Sequence, residues 1–290
     1  MRRGPREAGD TFGPTTRLSP AVVKRRLNAA LRKAFISSGK GQVFLELFAG
    51  SSRLARALAK NHGHACLGFD VKNGLEYDLC NPAVVNHVLG WVSSRMVRGV
   101  WLGTPCSTWS RARRRPLRDF WNIYGLHDLP ESDRAKLSVG NATLASARRV
   151  IRSCRDYRVP CIMENPATSQ MWSEPMLNVL LQDDRCQAFC LDYCCFGAPW
   201  RKRTRLAGWG CSEPRGLCRL CTGVGGKCWT GKRHRILQGS VPGSSLCWTH
   251  LAEAYPPALA TQAAAWLARS ADALELSHLQ QLAGLTSKDV

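Results

Sequence analysis

The chain has 290 residues, 44% of them hydrophobic, which is enough to bury one substantial core with a small appendage. Forty-one Lys and Arg against 21 Asp and Glu give a formal net charge of +20 and a pI near 9.9, so a polyanionic partner is expected, nucleic acid first. No apolar run reaches the roughly 18 residues that a membrane span needs, so a soluble chain with no membrane partner is expected.

The start, Met1-Arg-Arg-Gly-Pro-Arg, lacks the apolar core of a secretory signal. The 14 cysteines are therefore expected to be reduced and the protein intracellular, with the basic triplets Lys24-Arg-Arg and Arg113-Arg-Arg favouring the nucleus over the cytoplasm.

Residues 1–18 are rich in Gly, Pro, Thr and charge and read as a flexible basic arm. Ser19-Pro20 is a helix start, and Val22, Leu27, Leu31 and Phe35 continue an amphipathic helix to about Ile36. Gln42 to Phe48 is a short apolar run that suits a central parallel strand. A turn, Ala49-Gly50-Ser-Ser, and a helix from Arg53 to about Asn61 follow it. Ala65 to Asp70 is the next strand, Pro82 to Arg95 a helix, and Gly99 to Gly103 a strand leading to Cys106.

Residues 107–132 break this alternation with arginines, aromatics, glycine and proline, and form a connection far longer than an ordinary one, expected to be a lid or a disordered insertion. Leu137, Leu144 and Ile151 mark a helix ending near Tyr157. Pro160 to Glu164, Pro175 to Leu181 and Cys186 to Tyr193 then read as strand, helix and strand. The alternation predicts a doubly wound, mostly parallel α/β sheet over 19–206, covered on both faces. From Ala207 to Trp248 the chain turns rich in Gly, Cys and basic residues, a small Cys/His-rich insertion, and residues 249–290 supply a helix that packs back on the main domain.

Four fragments carry chemistry. Glu46, Phe48 and Gly50 stand at the first strand-to-helix turn, where glycine lets a ligand approach the backbone and a helix N-terminus faces it. Asp70, at the end of the next strand, is placed to accept ribose hydroxyls. Cys106 follows Pro105 and precedes arginines whose charge favours a thiolate, which makes it a candidate nucleophile. Glu164 ends another strand. Arg201, Arg203 and Arg205 alternate after a Gly-Ala-Pro turn, so they would project together from an extended segment onto a substrate carbonyl or phosphate. Arg111, Arg113, Arg114 and Arg115 form a basic cluster for nucleic acid.

Phe-Ala-Gly, Pro-Cys, Glu-Asn, the Phe-Gly-Ala-Pro turn with spaced arginines and Ala254-Tyr-Pro-Pro-Ala-Leu-Ala occur in the order found in DNA (cytosine-5) methyltransferases, and the chain resembles that family from about Val43 to Leu267. It departs from the pattern at Ser107 and Pro166, and its recognition region is reduced, as in methyltransferase-like domains of mobile elements.

The resemblance implies a Rossmann-like class I fold and S-adenosyl-L-methionine (S-adenosylmethionine) as cofactor. Glu46, Phe48, Gly50, Asp70 and Asp78 would line the donor pocket. Cys106 would attack C6 of a flipped cytosine in DNA, with Glu164 at N3 and Arg203 or Arg205 on the adduct. RNA cytosine, a silent nucleic-acid-binding module, and another substrate with a structural Cys106 are the alternatives. Cys218-x-x-Cys221 with Cys228 and His234 is a set that would hold Zn2+ tetrahedrally, and free reduced thiols are the other reading.

Overall fold

The computed structural model describes residues 17–39 and 41–282, so the arm expected over 1–18 lies almost wholly outside the described residues. In chain order the elements are α1 (Pro20–Ser38), β1 (Val43–Leu47), α2 (Arg53–His62), β2 (Cys66–Phe69), α3 (Pro82–Ser93), β3 (Val97–Leu102), α4 (Glu131–Asp156), β4 (Cys161–Pro166), α5 (Pro175–Leu181), β5 (Cys186–Asp192), β6 (Arg203–Trp209), α6 (Trp248–Leu251) and α7 (Pro257–Leu282). Helices α1, α3, α5 and α7 each begin at a proline, whose missing N–H costs nothing at that position. Ahead of α3 and α5, the side chains of Asn81 and Glu174 accept the free amides of Ala83 and Leu177.

The strands form one six-stranded sheet in the order β2-β1-β3-β4-β6-β5. β2, β1, β3 and β4 pair in parallel, while β6 runs antiparallel to β4 and to β5. The sheet is therefore mixed, with β6 its single reversed strand. The division expected between residues 206 and 207 falls inside β6, and the sheet continues through it. The charged run Arg201 to Arg205 hides this strand in the sequence. Only from Leu206 onward are its side chains consistently buried.

Alternating strand residues serve two cores. Val43, Leu45 and Leu47 of β1 pack with Leu27 of α1, Val88 of α3 and Ile151 of α4, whereas Phe44 faces Leu58 of α2 and Trp266 of α7. Helices thus cover both faces of the sheet. Residues 210–247 contain only isolated pairings, at Lys227 with Arg233 and Ser240 with Cys247.

Candidate active site

The turn from β1 into α2 holds Phe48, Gly50 and Ser52 in the left-handed region, at φ of 58°, 51° and 51°. Two of these carry side chains, and backbone held in that region by the surrounding fold is a hallmark of ligand-facing turns. Glu46, 1% exposed, accepts the Ala55 amide on Oε2 at 2.7 Å and so caps α2 from the preceding strand. Burial lifts its carboxyl to about 7, outweighing the Ala55 and Leu54 amides and Arg56. Its Oε1 is buried without a hydrogen-bond partner among the described residues. Asp70 reaches across from β2, accepting the Gly50 amide at 2.8 Å and the Lys72 amide at 3.0 Å. Asp78 is buried in its own turn, where it accepts the Cys80 amide at 2.9 Å.

Beyond β3, Gly103 allows a close approach. A Cβ there would stand 2.7 Å from the Tyr255 hydroxyl and 3.1 Å from the Phe48 carbonyl. The adjacent Thr104 accepts the side-chain amide of Asn165 at 2.6 Å on its carbonyl. The half-buried Cys106 follows. Burial pushes its thiol above the ordinary value, Lys202 pulls it back, and Glu164 and Glu253 push it up. The cation acting on this thiol is thus Lys202, rather than the arginines after it in sequence.

Glu164 on β4 is 5% exposed and gathers three hydroxyls. Thr204 donates to Oε1 at 2.6 Å, Tyr193 to Oε1 at 3.4 Å and Tyr255 to Oε2 at 3.3 Å. Trp101 in turn donates its indole N–H to the Tyr255 hydroxyl at 3.0 Å, and Lys202 donates to the Tyr193 hydroxyl at 3.3 Å. Burial, then the neighbouring Glu164, hold both tyrosines well above their ordinary range, so they stay protonated donors.

The spaced arginines do not join this cluster. Glu164 pairs with Leu206 across the β4/β6 ladder and Asn165 with Arg205, so Thr204 shares a face with Glu164 while Arg203 and Arg205 stand on the other. Arg201 and Arg203 both bind Asp192, whose side chain is fully buried, at 3.1 and 2.9 Å. Arg205 lies over the Trp172 ring, 4.9 Å from its centroid. Correcting the sequence reading, it is Thr204 of β6 that reaches Glu164. Lys202, just ahead of the strand, reaches the Tyr193 hydroxyl that Glu164 also accepts, so both stand one step out of register from the arginines.

The connection from 107 to 130 is anchored rather than a free lid. Arg118, 1% exposed, donates to the Thr108 carbonyl and Ile123 carbonyl, both at 2.8 Å, and to Asn141 Oδ1 at 2.7 Å. Its guanidinium also stacks on the buried Trp109, 3.4 Å from the ring centroid, and desolvation lowers its pKa to about 10. Tyr124 closes the far end by donating to Glu174 at 2.6 Å. Arg111, Arg114 and Arg115 remain exposed, as do Phe120 and Trp121, while Arg113 turns back to the Ser107 carbonyl and Asp133.

Of the expected metal ligands, Cys221, Cys228 and His234 come together, but Cys218 does not. Its exposed thiol turns to the Cys190 carbonyl at 3.8 Å, and Cys194 supplies the fourth donor. Sequence spacing selected Cys218 because it forms a C-x-x-C pair. The ligand 27 residues upstream of Cys221 gives no such local signal.

No protein-family model matches the chain, and no curated protein matches it significantly. Among solved structures it is similar to that of the Entamoeba histolytica methyltransferase EhMeth, at 14% identity and a TM-score of 0.34 over 59% of this chain. The chain spans about half of that protein, 53% of its length. No helix among the described residues is long and apolar enough to cross a membrane. At this level of likeness a reaction can be argued only from the site's own residues.

Proposed function

We propose that the chain is an S-adenosylmethionine-dependent methyltransferase of the Rossmann-like class I fold that acts on C5 of cytosine in DNA. The observation that carries this reading is the meeting of three chemistries at neighbouring strand ends. A buried carboxyl, Glu164, and a lysine, Lys202, meet at the Tyr193 hydroxyl, at 3.4 and 3.3 Å, and both act on the thiol of Cys106.

The turn after β1 fits the donor. The unpartnered Glu46 Oε1 is a buried acceptor beside an amide-rich helix start, and Asp70 ends β2 against Gly50. S-adenosylmethionine, when bound, supplies an electrophilic methyl group. The chain's own residues prepare the base. Cys106, as thiolate, forms a bond to C6, and Glu164 delivers a proton to N3, so the displaced electron pair resides at C5. Once C5 carries the methyl group, its proton passes to a water molecule acting as base, the thiolate is eliminated to restore the 5,6 double bond, and N3 returns its proton to Glu164. Lys202 favours the thiolate, the part that the sequence reading gave to the arginines following Cys106. The net charge, the exposed arginines and the exposed Phe120 and Trp121 on the same connection support a nucleic-acid substrate, whose bases could stack on these aromatic side chains.

The test is covalent trapping on duplex DNA containing 5-fluorocytosine, in the presence of the donor, with RNA of the same sequence alongside. The expected result is an adduct with DNA for the native chain and none for Cys106→Ala. Trapping on RNA alone reassigns the substrate, and donor binding without any adduct overturns the cytosine mechanism.

A further inference from the structure

The segment from Leu217 to Arg235 stays ordered with almost nothing apolar inside it. Its buried side chains are Leu217, Cys221 and Cys228. The latter two form a small cluster of their own with Cys194, which belongs to the turn Tyr193–Phe196 that follows β5. A core made of thiols gives little hydrophobic stabilisation, and small segments of this kind are held by cross-links or metal. All cysteines among the described residues are free, so cross-links do not hold it.

The donor atoms of Cys194, Cys221, Cys228 and His234 all lie within 4.8 Å of one another. The Cys221 and Cys228 sulfurs are 3.8 Å apart, and the Cys221 sulfur is 3.7 Å from His234 Nε2. Zinc–sulfur bonds of about 2.3 Å and zinc–nitrogen bonds of about 2.0 Å, arranged tetrahedrally, require edges of roughly 3.5 to 3.8 Å. Two edges of the tetrahedron are therefore already at the length a zinc ion would set.

The backbone around the cluster is shaped for this convergence. Cys228 donates to the Lys232 carbonyl at 2.6 Å and His234 to the Gly226 carbonyl at 2.8 Å, folding the two ligands back on each other. At Gly223 the chain passes so close that a Cβ would lie 2.1 Å from the Lys227 carbonyl oxygen, so no other residue fits.

We infer that Cys194, Cys221, Cys228 and His234 form a closed, structural zinc site that clamps the segment 217–235 onto the turn carrying Tyr193. Three thiolates and an imidazole fill the tetrahedron, leaving no position for substrate, so the ion's role is architectural. The clamp has a second attachment two residues before Cys194. Asp192 accepts the Cys221 amide at 2.9 Å while holding Arg201 and Arg203, and Arg201 donates to the Cys221 carbonyl at 3.1 Å. Through Cys194 the site also fixes its neighbour Tyr193, whose hydroxyl meets both Glu164 and Lys202. The clamp rests on its own ligands and not on the proposed reaction.

The test is elemental analysis of full-length protein purified without chelator, together with cobalt substitution. The native chain and Cys218→Ala are expected to carry about one zinc each, and the cobalt form to show thiolate charge-transfer and tetrahedral ligand-field bands. Cys194→Ser is expected to lose stoichiometric zinc while Cys195→Ser keeps it. Because a ligand variant can fail to fold, the native protein is also stripped with a chelator. Protease cleavage is then expected to appear within 217–235 and to be suppressed when zinc is restored. Absence of zinc from the native chain, its loss in Cys218→Ala, its retention in Cys194→Ser, or cleavage unaffected by zinc would each overturn the site.

Discussion

The side-chain amide of Asn165 donates to the carbonyl of Thr104 at 2.6 Å, so the residue next to Glu164 in sequence fastens the loop that carries Cys106. The strand of the proposed proton donor is thereby tied to the loop of the proposed nucleophile.

Asn165→Ala removes that tie and leaves the Thr104 carbonyl buried and unpaired. Losing such a bond costs about 1–3 kcal/mol. The expected result is a drop of that size in urea-melt stability and a much larger loss in the rate of adduct formation, with donor binding unchanged. Equal losses in donor binding and in trapping would show that Asn165 does no more than stabilise the fold.

Glu46 makes stability depend on pH. Its folded pKa of about 7 lies above the ordinary 4.5, so the favourable contribution of its neutral form is complete below 4.5 and is lost as pH rises through 7. The ionised carboxylate then costs the fold roughly 3 kcal/mol. Glu46→Gln keeps an acceptor for the Ala55 amide and is expected to be more stable than the native chain at pH 8 and similar to it at pH 4.5, measured by thermal melts. The same variant should weaken donor binding if Oε1 contacts the ligand. Parallel melting curves of the two proteins across this range would refute the burial argument.

Most of the fold was legible because the parallel strands are buried on both faces and so read as apolar runs: Phe44 to Leu47, Val100 to Leu102, Cys161 to Met163. β6 was not, since its start is charged and its pairing is settled by neighbours far away in sequence. For the same reason the alternation of Arg201, Arg203 and Arg205 was visible, but which face they take was not. Lys202 and Thr204 were equally regular in spacing and could be chosen only once β4 lay beside them. Cys106, Glu164 and the turn after β1 stood out through their strand-end positions, whereas Tyr193, Tyr255 and Cys194 reach the polar clusters by tertiary packing alone.

Arg118 should behave as the anchor of the 107–130 connection. Arg118→Met retains bulk against Trp109 but strands the carbonyls of Thr108 and Ile123. Hydrogen bonds from a charged donor contribute about 1.5–3 kcal/mol each, so a loss on the order of 3 kcal/mol is expected, with new protease cleavage between residues 107 and 130. An intact connection in this variant would mean that Trp109, Leu117 and Tyr124 suffice to order it.

The exposed face of that connection should matter for binding rather than for stability. Arg114→Ala and Arg115→Ala are expected to leave the melting temperature unchanged and to flatten the dependence of DNA affinity on salt by about 0.9 log–log units for each phosphate no longer neutralised. A salt slope equal to that of the native chain would remove these arginines from the interface.

Lys202 and Arg203 are adjacent and alike in charge, yet β6 gives them different tasks. Lys202 acts on Cys106 and on the Tyr193 hydroxyl, while Arg203 is paired with buried Asp192. Burial already holds the Cys106 thiol above its ordinary value, so Lys202→Met removes a compensating charge and raises the thiol further. The rate of thiol alkylation against pH is expected to shift to higher pH in that variant, with adduct formation falling most steeply near neutrality. Arg203→Met should leave the alkylation profile in place. Its effect falls on Asp192, where burial pushes the carboxyl up but Arg203, the Cys221 amide and Arg201 together hold it below the usual range. A group depressed in this way contributes stability above its unfolded pKa that is lost as pH falls through the folded one. Removing Arg203 diminishes that contribution, so the variant should be less stable at neutral pH and show a shallower loss on acidification. If instead Arg203→Met shifts the thiol profile and Lys202→Met does not, the register of β6 against Glu164 is wrong by one residue.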